Sequence, residues 1–172
     1  MNARPQPPRE QSPQLRAAAL KERVYVTFTA LAVVLAMLSH SADLTVGGAA
    51  TTLTISVLGT ALAVFVADFV SHIAVHQHLP TAAETRDMIG TSASALAVLP
   101  VPLLTLGGAA LDWWSLTGAL TAAMWVLLGT LIVIGYLAIR RVRLPWWQRL
   151  VVLGAEAVLG AAVIALELIA HG

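Results

Sequence analysis

Polar and apolar positions in this chain come in blocks rather than in alternation. A proline-rich, charged start gives way to apolar runs over residues 24–41, 51–76, 88–110, 113–139 and 146–170, separated by short polar links. A helix that crosses a bilayer needs roughly 20 apolar residues, so each run predicts one span. The fold expected is all-α: a polytopic membrane protein with a bundle of five transmembrane helices over residues 24–172. Pro100 and Pro102 fall inside the third run and predict a break there, because proline lacks a backbone donor. Residues 1–23, with Arg4, Arg9, Arg16, Lys21, Arg23 and Pro5, Pro7, Pro8, Pro13, read as a disordered basic tail. No small-residue cleavage site follows the first apolar run, so the tail reads as a retained N-terminus rather than a signal peptide.

Composition agrees with the block pattern. Of the 172 residues, 58% are hydrophobic and 11% charged, with a mean hydropathy of +0.82, whereas soluble domains carry about a quarter charged residues. A soluble enzyme and a nucleic-acid binder are excluded on this ground, and the absence of cysteine excludes a disulfide scaffold.

The charges orient the spans. Of the ten Lys and Arg residues, five lie in the tail, Arg86 joins spans two and three, and Arg140, Arg141, Arg143 and Arg149 surround the link between spans four and five. Basic residues concentrate on the cytoplasmic side. Five spans with the N-terminus inside put every one of them there, leave the links with Asp43 and Asp112 outside, and place the C-terminus outside. Trp113 and Trp114 then mark the outer interface of the cell membrane, and Trp146 and Trp147 the inner one. Besides the bilayer itself, the inner arginines suit anionic lipid.

Small residues recur every fourth position at Gly59, Ala63, Ala67, Ser71 and at Ala157, Ala161, Ala165. Such rows let helices approach closely and predict seams within the bundle or between the protomers of a homodimer, though a chain this rich in alanine also yields such rows from composition alone.

Three acids lie within the spans. An intramembrane carboxyl is costly and normally faces a bundle interior or a wet cavity. Asp68, His72 and His76 follow one another at intervals of four and therefore share a stripe, farther along which lies Thr60. Carboxylate and imidazole together suit a divalent transition metal or a proton relay. Glu156 and Glu167 are eleven residues apart, so they point nearly the same way, and His171 follows Glu167 by four. Asp68 and Glu156 both lie roughly 12–14 Å from the inner interface. Asp68, His72, His76 and Glu156 thus outline an inner site. Glu167 and His171, with His40 and Asp43, outline an outer one.

Each group also has a plain structural reading. The acids serve equally as neutral hydrogen-bonding partners between helices, His76 and His78 as interfacial residues, the outer group as solvated ends. Glu84, Arg86 and Asp87 serve as a charged loop or a cap on span three. No nucleophile elbow, zincin or phosphate-loop motif occurs, so no enzymatic activity is expected.

Three stretches resemble the vacuolar iron transporter (VIT) family. Ala67-Asp68-Phe69-Val70-Ser71 is similar to the small-acidic-aromatic-aliphatic-Ser run of that family's second span. Leu99-Pro100-Val101-Pro102-Leu103-Leu104 resembles its proline-broken third span, and the small-residue-rich stretch from Arg149 through Gly154-Ala155 its last. The resemblance implies a five-span, N-inside dimer that exchanges divalent metal for protons, with Asp68 as the ligand position that carries over. The expected function is proton or divalent-cation transport, with the broken third span offering freed carbonyls to the ion. The alternative is a non-transporting scaffold or accessory subunit that binds a partner protein.

Overall fold

The computed structural model describes residues 13–139, Trp146, Trp147 and five single positions from Val151 to Ala165. The described residues contain helices and no strand: α1 (Pro13–Ser39), α2 (Val46–His76), α3 (Ala82–Ala95), α4 (Pro100–Ala110) and α5 (Leu116–Ile139). Helix α3, a 3-10 turn over Leu96–Val98 and helix α4 run on as one rod, so four membrane-length apolar helices are present among the described residues. Most of the fifth expected span, 146–170, lies outside them.

Helix α1 begins eleven residues earlier than the sequence pattern suggests, which corrects the disordered reading of 13–23. Ala17-Ala18-Ala19-Leu20-Lys21-Glu22-Arg23 is a run of strong helix formers, and Pro13 opens the helix at the first position, where its missing N–H costs nothing. Helices α2 and α3 also start early. Thr45 caps α2 by accepting from the Gly48 N–H at 3.0 Å. Thr81 and Glu84 cap α3 reciprocally, so Glu84 has the capping role that was one of its two sequence readings.

The proline break lies where the sequence places it. Pro100 has no N–H for the Leu96 carbonyl, which instead accepts from Leu99 at 3.0 Å. That bond is the 3-10 turn. The Leu96 carbonyl is therefore satisfied within the chain and is not a free ligand for an ion.

Helix α1 sits at the centre, packed against α2, α3 and α5, and accordingly buries two adjacent ridges, Val26–Ala30–Val34 and Thr27–Leu31–Leu35. Helix α2 buries one, Ala49–Leu53–Val57–Ala61, and α5 another through Ala119, Ala123, Leu127 and Leu131. Alternating small and large residues let these ridges interdigitate; between helices in lipid that packing, not the hydrophobic effect, supplies the cohesion. The row Gly59, Ala63, Ala67, Ser71 is exposed. It is offset by two residues from the buried ridge, about 200° round the helix, so it is not a seam between the described helices.

The two ends of the bundle differ. At the hairpin end, α4 closes with Asp112 in the left-handed region (φ 57°), the Trp113 N–H bonded to the Gly108 carbonyl and the Asp112 N–H to that of Ala109, a Schellman closure. Trp114 then folds back over Gly108 and donates from Nε1 to the Thr105 carbonyl at 2.8 Å. At the tail end lie the start of α1, the end of α2 and the start of α3, where Gln77 closes α2 at φ 60° by donating to the Ile73 carbonyl.

Candidate functional site

The buried ridge of α2 turns polar toward the tail end. Asp68 is seven residues beyond Ala61, almost two full turns, and so continues the same inward face, with His72 one turn farther. On α1, the ridge Val34–Ala30–Val26 extends backward to Glu22, which is 1% exposed. Helix α3 contributes Thr91 and Ser92, both buried. Three helices thus bring polar groups to one region.

Glu22 lies close enough to Asp68 and Ser92 to interact with both, yet no contact of its carboxyl oxygens or of the Ser92 hydroxyl has hydrogen-bond geometry. An unpaired buried carboxyl is expensive. Asp68 itself is engaged by Lys21, whose Nζ lies 3.2 Å from Oδ1. Beside this pair opens a cavity of about 570 Å³, lined among others by Asp68, His72, His76, Glu84, Asp87 and Thr91. That is room for many waters, each of which takes about 30 Å³.

His72 reaches across the cavity toward α3. Its Nε2 is 3.9 Å from Glu84 Oε2, too far for a hydrogen bond, and it is buried without another partner. The rings of His72 and His76 lie 4.5 Å apart, and His78 approaches them at 5.5 and 5.8 Å. Asp68, His72 and His76 therefore share one cavity wall. Among the described residues, however, no three His, Cys, Asp or Glu groups converge to hold a metal ion.

The threonine hydroxyls along these helices, unlike that of Ser92, are committed. Thr27, Thr54, Thr60, Thr91 and Thr130 each donate to the carbonyl four residues back, at 2.6–2.9 Å, the usual habit of helical threonine.

No family model, characterised protein or solved structure matches the chain. The likeness to the vacuolar iron transporters thus rests on the three sequence stretches alone. Of the expected inner site, Asp68, His72 and His76 are together, and Glu156 lies outside the described residues. Glu167 and His171 of the expected outer site also lie outside them. His40 and Asp43 are exposed at the hairpin end, far along the bundle from Asp68.

Glu22 is the residue the sequence reading missed. Flanked by Lys21 and Arg23, it looks like part of a solvated charge run. Counting back in fours from Val34, through Ala30 and Val26, would have found it.

Proposed function

We propose that the chain is a five-span membrane protein, N-terminus inside and C-terminus outside, that passes protons through the polar cluster at its tail end. Glu22, Asp68 and His72 are the proton-carrying groups, His76 and Glu84 the approach from the cytoplasmic side. The observation that carries this reading is Glu22, a buried carboxyl without a hydrogen-bond partner beside a second carboxyl, Asp68, which lines a cavity wide enough for water. Evolution rarely leaves such a group in a membrane bundle for packing alone. Pairwise approaches, Glu22 to Asp68 and His72 to Glu84, suit a hopping proton. A bound divalent ion asks for several converging ligands, so metal is the less favoured cargo.

A second reading, a non-transporting subunit, is favoured by one observation: the small-residue row of α2 and the neighbouring Leu62, Val66 and Val70 are exposed, a surface suited to another transmembrane helix.

Flux separates the two. Purified protein in liposomes, loaded with a pH dye and in parallel with a divalent-metal dye, is compared with Glu22→Gln and Asp68→Asn. Proton flux that falls roughly a hundredfold, the scale on which a proton-transfer group acts, in variants of unchanged thermal stability is the expected result. Background signals from wild type and variants alike overturn the transport reading and leave the subunit. A metal signal that vanishes in Asp68→Asn while the pH signal is flat makes metal the cargo.

A further inference from the structure

A second polar cleft, of about 280 Å³, lies between α1 and α3 next to the proton cluster, sharing Asp87 and Thr91 with the first cavity, with Arg23 and Arg86 on its walls and Thr91 and Ser94 between them. Neither guanidinium has an ion pair or hydrogen bond among the described residues: the two ion pairs present there are Lys21–Asp68 and His72–Glu84. Asp87 also lines the cleft and pairs with neither arginine. Ala19 and Gly90 leave space there, and a side chain on Gly90 would meet nothing within 4 Å.

The cleft does not end at the arginines. A further hollow of about 210 Å³ shares Arg23 and Ser94 with it and runs on toward the membrane interior beside the 3-10 turn, along Ala97, Val98 and Ile134. The two hydroxyls in this lower part, Thr27 and Thr130, are turned to their own helices' carbonyls, which leaves its wall largely apolar. A charged mouth that leads into an apolar trough matches one kind of molecule. Its place agrees as well: Arg23 immediately precedes the apolar run from Val24, the depth at which arginine meets lipid phosphate.

We propose that this continuous groove holds an anionic phospholipid, with its phosphate between Arg23 and Arg86 and one acyl chain along Ala97, Val98 and Ile134. The assignment rests on the membrane placement with the tail end inside, and is independent of proton transport. A phosphate that bridges the two arginines ties the first turns of α1 to α3, the same two helices that bury Glu22 against Ser92.

The test uses the full-length protein, delipidated in detergent and offered phosphatidylglycerol or phosphatidylcholine of identical chains, with bound lipid counted by native mass spectrometry. Phosphatidylglycerol should be retained over phosphatidylcholine by about tenfold to thirtyfold, the scale set by two arginines near a lipid surface. Arg23→Gln/Arg86→Gln should abolish that preference, and Ala97→Trp should reduce retention of both lipids by filling the trough. Inorganic phosphate should not displace the lipid. Equal retention of both lipids by the wild type, an undiminished preference in the double variant, or full displacement by inorganic phosphate overturns the proposal; the last result would indicate a free-anion site. Should the double variant fail to fold, photoactivatable phosphatidylglycerol on the wild type decides, with labels expected in residues 19–30 and 86–98, and labels confined elsewhere counting against the groove. Proton flux measured on the same samples keeps the two readings apart, since lipid preference can fail while flux stands, and the reverse.

Discussion

The hairpin end and the tail end of this bundle are built from the same helices by opposite rules. Toward the hairpin end, the buried positions are apolar, the backbone turn is closed by a Schellman motif, and Trp114, which folds back over the bundle, spends its N–H on a carbonyl. Toward the tail end, all four buried side-chain atoms without a hydrogen-bond partner among the described residues are gathered: two on Glu22, one on His72, one on Ser92. A helix bundle in lipid gains nothing from such groups by packing. The contrast teaches that packing and polarity are segregated along the axis, with a dry half that holds the helices together and a polar half that can admit water and charge.

Substitutions at the dry end should therefore break the fold and leave the chemistry without a scaffold. Leu127, fully buried where α5 meets the centre, is the strongest case. Leu127→Ala should cost about 2–5 kcal/mol, read as a lowered unfolding midpoint in detergent, with flux per folded molecule unchanged. Gly108→Ala comes next. A Cβ there would collide with the Trp114 ring, so the indole must shift, and its bond to the Thr105 carbonyl should be strained or lost. About 1–3 kcal/mol is expected, together with a red shift of tryptophan fluorescence that Trp114→Phe should reproduce at smaller cost. A Gly108→Ala protein with unaltered stability and emission would show that the tryptophan latch contributes nothing to the dry half.

The same division explains what could be read from the sequence and what could not. Span positions and the proline break were legible because apolar runs and missing donors are local facts: Pro100 fixes the 3-10 turn wherever its neighbours lie. The inward stripe Asp68, His72, His76 was legible because a four-residue interval defines a face. In the half of α2 before that stripe the inward face was not legible, since both faces there are apolar and the row at Gly59 is as regular as the buried one at Val57. Glu22 was hidden by its neighbours, for Lys21 and Arg23 point outward from the same turn and lend it the look of a solvated residue. Only the position of α1 at the centre of the bundle, a tertiary fact, turns that carboxyl into the interior.

The smallest expected effect sharpens the comparison most, because it measures how wet the polar half is. Lys21 and Asp68 form an ion pair at 3.2 Å, with the lysine side chain about half exposed and the aspartate about a quarter. If that surface meets water and lipid headgroups, the pair is screened, and Lys21→Met should cost less than about 1 kcal/mol, a loss that fades further at high salt. Broken in a dry interior, the same pair should cost about 3–5 kcal/mol and ignore salt, because Asp68 would be left as an uncompensated charge. Thermal unfolding of Lys21→Met over a range of ionic strength distinguishes the two. A small, salt-dependent loss is expected, and it would place the membrane boundary beyond Lys21 on α1, leaving Glu22 at the foot of a water-filled vestibule. A large, salt-independent loss would put the whole cluster in the dry bilayer, and protons would then have no wet path to Glu22 from the tail end.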